Sequence, residues 1–332
     1  MEQRPLGATG LTVSEIGFGC GNVGGLMVRG APEERRAAVA RALELGITYF
    51  DTAPSYGDGL SETHLGQALR ELGARPTVGT KVQVRGDDLA DVAGAVARSV
   101  EASLGRLGLE AVDVLYLHTR VALRRQEGAL GVEDVLGPGG VAEALEAQRR
   151  EGRVRFLGFT ALGETVALHR LIESGRFQVL QAYYNLLNPS AGVAVPEGFH
   201  GQDFGQLMDR AAAHGMGVVV IRVLAAGALG GLEERHPLAG GPGGALAVGS
   251  SYQADVERAR ALRFLVQEGR QTLAQAAIRF ALMKREVSTV LVGYSSRAHL
   301  EEAATCSGSG GLPPEALERL RELWRTDFGR AP

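Results

Sequence analysis

Ile47-Thr48-Tyr49-Phe50-Asp51-Thr52-Ala53-Pro54-Ser55-Tyr56-Gly57 is an apolar run that ends on a carboxylate and breaks into a turn carrying a phenol. Two later runs end in the same manner. Val78-Gly79-Thr80 closes on Lys81, and Val112-Asp113-Val114-Leu115-Tyr116-Leu117 closes on His118. Core packing does not ask for a titratable residue at the end of three successive strand candidates. In a parallel α/β barrel the carboxyl ends of neighbouring strands open into one mouth, where catalytic groups collect. The pattern therefore predicts a mouth that holds Asp51, Tyr56, Lys81 and His118 together.

Outward from this stretch, strand and helix signals alternate. The opening residues Arg4 to Gly7 and Thr9 to Ser14 flank a Gly turn and read as a hairpin. Strands are expected at Glu15 to Phe18, Thr48 to Phe50, Thr77 to Thr80, Asp113 to Leu117, Arg155 to Phe159, Val179 to Ala182, Gly217 to Val220 and Thr289 to Val292. Helical patterns fill the gaps: Pro32 to Leu45, Ser61 to Leu72, Leu89 to Leu107, Val141 to Glu151, Glu164 to Ser174, Phe204 to Ala213, then Ala254 to Val266 and Leu273 to Met283. Two more, Arg297 to Ala304 and Pro314 to Trp324, close the chain. Strict alternation argues for a parallel sheet. The expected fold is α/β, a (β/α)8 TIM barrel with an N-terminal β-hairpin, forming one domain over residues 1–332. Three long stretches, Thr119 to Gly140, Leu187 to Gln202 and Ala225 to Tyr252, follow strands and are expected as extended loops over the C-terminal mouth.

Composition bounds the function. The chain has 332 residues, 45% hydrophobic and 22% charged, with a formal net charge of −3. That balance points to neither nucleic acid nor a membrane surface as partner. The N-terminal residues carry no signal-like segment, and no apolar stretch is long enough to span a bilayer. Cys20 and Cys306 form neither a metal-ligand spacing nor a disulfide framework, so a reducing cytoplasm is the expected address. Of the 35 cationic residues only Lys81 and Lys284 are lysines. A chain that otherwise writes its cations as Arg has kept, at a strand end, the type whose pKa shifts readily.

A phenol titrates near ~10 in water, too high to donate a proton readily at neutral pH. A neighbouring ammonium favours the phenolate, and a carboxylate can hold the ammonium in place. Asp51, Lys81 and Tyr56 supply that set, and His118 can hydrogen-bond a substrate oxygen. Such a donor suits carbonyl reduction, yet no side chain can supply a hydride, so a redox cofactor is required. Gly19-Cys20-Gly21-Asn22-Val23-Gly24 matches the dinucleotide fingerprint but lacks its immediate helix; a glycine-rich loop near cofactor or substrate is the better reading of Gly19. No metal site is expected, because the His residues are scattered. Ser61 reads as a helix N-cap.

The sequence resembles the aldo/keto reductase superfamily nearly end to end. The resemblance is carried by Thr9 to Ser14, Phe50 to Gly57, Gly59-Leu60-Ser61-Glu62, Gly79-Thr80-Lys81, Leu117-His118, Tyr184-Asn185-Leu186-Leu187 and Gly293-Tyr294-Ser295-Ser296. It implies a barrel that binds NADP(H) across the mouth, with NAD(H) possible, and a tetrad of Asp51, Tyr56, Lys81 and His118 in which Tyr56 is the general acid. It further implies that Thr160 and Gln181 lie at the nicotinamide carboxamide, and that Ser295, Ser296, Arg297 and His299 hold the adenosine phosphate end. Some positions depart from the family. Thr160-Ala161 replaces the usual Ser-Asn, Ile221-Arg222 stands in place of the tyrosine that many members stack on the nicotinamide, and Arg222 or Arg297 is left to take a 2′-phosphate.

The expected activity is NAD(P)-dependent interconversion of an aldehyde, ketone or sugar carbonyl and its alcohol. One alternative is a cofactor-binding regulatory subunit without significant turnover, like the potassium-channel β subunits that share the barrel. Another is a barrel lyase or isomerase using Lys81 as a Schiff base. The oligomeric state, the substrate and the physiological direction are not legible.

Overall fold

The structure is a computed structural model describing residues 1–231, 234–244, 247–249 and 251–330. Eight parallel strands close into a barrel: β1 (Ile16–Gly19), β2 (Tyr49–Asp51), β3 (Thr77–Val82), β4 (Val112–Leu117), β5 (Val154–Thr160), β6 (Val179–Tyr183), β7 (Gly217–Ile221) and β8 (Val287–Gly293). Each strand pairs with its sequence neighbours, and β8 closes on β1 through Val290↔Ile16 to Gly293↔Gly19. The expected (β/α)8 architecture is present, and all eight expected strands are found, most of them a residue or two longer.

Strand alternation divides the core in two. Tyr49, Val114, Tyr116, Val179, Val219 and Leu291 fill the barrel interior. Phe18, Phe50, Val78, Leu115 and Leu157 face outward beneath the helices, and the Phe18 and Phe50 rings stack at 5.3 Å. The helices present matching stripes. In Val92–Leu107 the buried residues Val92, Val96, Val100, Ser103 and Leu107 recur at helical spacing; Asp91 caps the start by accepting from Gly94 N–H, and Gly108 ends it in the left-handed region at φ 65°. The expected hairpin, Gln3–Pro5 against Thr12–Ser14, closes the opposite end, with Leu6 and Val13 packed into the interior cluster.

Several local expectations need correction. A four-residue helix, Leu26–Arg29, follows Gly25 directly. The helix expected from Ser61 starts at Leu60 behind Gly59 (φ 85°), with no side-chain cap. Ser61 is instead a buried tether, donating to Cys20 O at 2.9 Å and bonding the Thr52 hydroxyl at 2.8 Å. The helix expected over Ala254 to Val266 is split into Tyr252–Arg260 and a short turn Arg263–Leu265. The stretch Thr119 to Gly140 contains two paired strands, Arg120–Ala122 and Ala129–Gly131, and the helix Val132–Leu136. In the loop Ala225 to Tyr252, residues 232, 233, 245, 246 and 250 lie outside the described residues, as do 331 and 332 at the end of the expected domain. No helix of the described residues is long and apolar enough to cross a membrane.

Candidate active site

Strand parity aims the reactive groups. Tyr49 is inside the barrel and Phe50 outside, so Asp51 returns to the inside at the strand's carboxyl end. The same parity on β3 sends Val78 and Val82 out, turns Thr80 toward the helices, where it donates to the buried Glu62, and brings Lys81 inward. On β4, Leu115 and Leu117 face out and Tyr116 faces in, which brings His118 to the mouth. The register sets Gly79 beside Asp51 and Tyr116 beside Lys81.

Asp51 and Lys81 form a buried ion pair through Oδ1, and Lys81 Nζ also donates to the Thr52 carbonyl at 2.8 Å. The other carboxylate oxygen of Asp51 accepts from Gln181 Nε2 at 2.6 Å. Gln181 in turn accepts from Thr160 at 2.9 Å, so its amide is engaged within the barrel. Burial pushes the Asp51 carboxyl above its usual range, while Lys81 and Gln181 oppose that rise. Burial also disfavours the Lys81 ammonium, but Asp51 and Tyr56 outweigh it and hold its pKa above the ordinary value.

Tyr56 reaches the same point from the turn after β2. Lys81 Nζ lies 4.8 Å from its ring centroid. The expectation that Lys81 brings the phenol below its usual pKa is corrected by the enclosure of the site. Burial raises the phenol, Lys81 pulls it down by charge and hydrogen bonding, Asp51 raises it again, and the net shift is upward. His118 is pushed down to about 3, first by burial and then by Lys81 and Arg222, so it is a neutral imidazole at physiological pH. Its Nδ1 is buried with no hydrogen-bond partner among the described residues.

The remaining expected residues divide between two ends of the mouth. Gly19 ends β1 beside Asp51. Arg222, at the end of β7, has a backbone φ of 58° and donates to Pro242 O at 2.8 Å. Its charge acts on both His118 and Tyr56, which puts it at the tetrad end. Beyond β8, Ser295 donates to Gly24 O at 2.6 Å, and Ser296 caps the helix Arg297–Ala304 by accepting from His299 N–H at 3.3 Å. Both hydroxyls are thus committed to the protein's own backbone. Arg297 is exposed on that helix's first turn, and the His299 ring is 5.7 Å from that of His236.

Two features were not singled out from sequence. Glu62, fully buried, binds Thr80 at 2.5 Å and Arg106 at 2.6 Å and so braces β3 from outside. The β1 loop is tied to the loop after β7: Arg29 donates to Leu238 O at 2.8 Å, and Gly240 N–H donates to Asn22 O at 3.1 Å. Neither pairing leaves a mark in local periodicity, because the first joins two helices to a strand and the second joins two loops, all distant in sequence.

The sequence profile of the Aldo/keto reductase family matches residues 15–325. L-galactose dehydrogenase from Arabidopsis thaliana is 29% identical over 97% of this chain and 94% of its own. L-glyceraldehyde 3-phosphate reductase from Escherichia coli O157:H7 is 28% identical over 96% and 91%. D-threo-aldose 1-dehydrogenase from a Pseudomonas species is 26% identical over 96% and 94%. Among solved structures, the holo form of an aldo-keto reductase from Bacillus halodurans superposes with a TM-score of 0.71 at 24% identity, covering 97% of this chain and 96% of that one.

Proposed function

The chain belongs to the aldo/keto reductase family, and from that premise we propose that it is a nicotinamide-dependent oxidoreductase interconverting a sugar-type aldehyde or ketone and its alcohol, with Tyr56 as the proton donor in reduction. The observation that carries this reading is the buried Lys81, fixed by Asp51 and the Thr52 carbonyl beneath the Tyr56 ring. The dehydrogenase and reductase relatives act, by their names, on aldoses or a small sugar phosphate, which puts a polyhydroxy carbonyl compound first among substrates.

A nicotinamide dinucleotide fits the residues present. His118 Nδ1 is an orphaned polar atom at the mouth, and Arg222 is a cation whose charge acts on both His118 and Tyr56. Gly19, Thr160, Gln181 and Arg222 would face the nicotinamide end; Ser295, Ser296, Arg297 and His299 would face the adenosine end. Arg297, remote from the tetrad on the helix after β8, is then the better candidate for a 2′-phosphate, and NADP(H) is favoured over NAD(H). The cofactor supplies the hydride that no side chain here can provide. Tyr56 O–H donates its proton to the substrate oxygen, Lys81 stabilises the phenolate left behind, and the neutral His118 hydrogen-bonds the same oxygen.

Fluorescence titration with NADPH and NADH, followed by an aldose and aldehyde screen, tests the reading. Tyr56→Phe is expected to bind cofactor and to lose turnover. Retained turnover would reject Tyr56 as the acid. Tight binding without turnover by the unaltered chain would favour a regulatory role instead.

A further inference from the structure

Asn22 stands where three segments of the mouth meet. It lies in the loop after β1, and its side-chain amide reaches the turn that carries Tyr56. Oδ1 accepts from Gly57 N–H at 2.9 Å, and Nδ2 donates to Ser55 O at 3.4 Å. The amide therefore grips the backbone on both flanks of the phenol. From the other side, the Asn22 carbonyl accepts from Arg29 at 2.5 Å and from Gly240 N–H at 3.1 Å. The preceding residue, Gly21, lies against the phenol itself; a Cβ added there would sit 3.5 Å from Tyr56 Cζ.

The turn under this grip is one that local preference permits without fixing where it aims the phenol. Gly57, Asp58 and Gly59 have φ of 61°, 53° and 85°, three consecutive residues in the left-handed region. Two glycines take that conformation without cost and an Asp tolerates it, so the turn forms readily but is held in one orientation only by contacts from outside it. Tyr56 N–H bonds back to Ala53 O at 3.1 Å within the same turn, and its carbonyl accepts from Ser61 N–H at 3.2 Å. A phenol on such a turn must still be aimed to within a fraction of an ångström, because small misplacements of a reacting group cost roughly a hundredfold in rate.

We propose that Asn22 is a positioning residue for Tyr56, fixing the flanks of the proton donor while the loop after β7 fixes Asn22. This rests on the reading of Tyr56 as the acid. The test compares Asn22→Ala and Asn22→Asp with the unaltered enzyme and with Tyr56→Phe. Asn22→Ala is expected to lower kcat roughly ten- to a hundredfold with KM little changed, and to displace the pH limb of kcat that reports the phenol. Asn22→Asp keeps the acceptor for Gly57 N–H but loses the donor to Ser55 O, and is expected to recover part of kcat.

Unaltered kcat and an unmoved pH limb in folded Asn22→Ala would overturn the proposal. So would a loss that Asp fails to restore and that leaves the limb in place, since this is the pattern of a merely structural residue. If Tyr56→Phe keeps its turnover, the underlying reading fails instead, and the two failures are told apart.

Discussion

Asp51 and Gln181 are 130 residues apart and sit on diametrically opposed strands, β2 and β6, yet they share a 2.6 Å hydrogen bond across the barrel lumen. The bond is one rung of a polar layer: Thr160 donates to Gln181, Gln181 donates to Asp51, and Asp51 holds Lys81. Below it, the Tyr49 and Tyr116 hydroxyls meet at 2.5 Å above an apolar plug. In a medium this dry, a polar group is tolerable only when its partners are all in place. Aiming Lys81 therefore depends on residues that never approach Tyr56.

Gln181→Leu tests that dependence. Removing the donor leaves one oxygen of a buried carboxylate without its partner, which costs about 1–3 kcal/mol. It also lets the Asp51 pKa climb further, since Gln181 is one of the groups restraining it. Urea denaturation of the cofactor-free protein is expected to show the loss, together with a lower kcat. A residue serving only the nicotinamide carboxamide would weaken cofactor binding and leave the free protein's stability where it was.

Removing either member of the Asp51–Lys81 pair alone should be worse than removing both charges. Asp51→Asn strands a buried ammonium and Lys81→Met strands a buried carboxylate, each costing about 3–5 kcal/mol. The double variant loses the desolvation penalty along with the attraction. Its loss of denaturation free energy is expected to be well below the sum of the two single losses, and strict additivity would show that the pair is not coupled.

The barrel and the gathering of Asp51, Tyr56, Lys81 and His118 at its mouth are legible because strand parity is written in local periodicity. Phe50 out and Asp51 in is a consequence of period two, and the same parity carries Lys81 and His118 to one rim. What was not legible is what crosses between distant loops. Asn22 reads as one more polar residue in a glycine-rich string until the Tyr56 turn folds against it. Ser61 looks like a cap because the sequence cannot show that Cys20 O and Thr52 lie within its reach. The upward direction of the Tyr56 pKa is hidden from the sequence for a related reason: adjacent charges can be inferred from spacing, whereas the extent of enclosure depends on the whole mouth.

Gly66 is a second test of packing. It lies within the helix Leu60–Leu72, and a Cβ there would overlap the Leu107 carbonyl at the end of the neighbouring helix. Ala would gain about 1 kcal/mol in helix propensity, but backbone is the obstacle and cannot step aside as a side chain would. Overpacking of this kind costs about 1–3 kcal/mol. Gly66→Ala is expected to lower Tm despite its better propensity; a rise would show that the two helices can separate freely.

His118 gives the chain a signature in acid. Its folded pKa is pushed down to about 3 from an ordinary 6.5 by burial, with Lys81 and Arg222 adding to the effect. Below 6.5 the unfolded chain binds a proton that the folded one refuses, so stability rises with pH across that interval and falls as pH drops toward 3. The full contribution is on the order of a few kcal/mol, present above the unfolded value and lost in acid. Asn in place of His118 removes the titration while keeping polar atoms at the mouth. Denaturation midpoints of His118→Asn between pH 6.5 and 4 are expected to fall less steeply than those of the unaltered protein. Parallel slopes would mean that His118 takes up its proton as readily in the folded state as in the unfolded one, and that burial does not hold its imidazole neutral in acid.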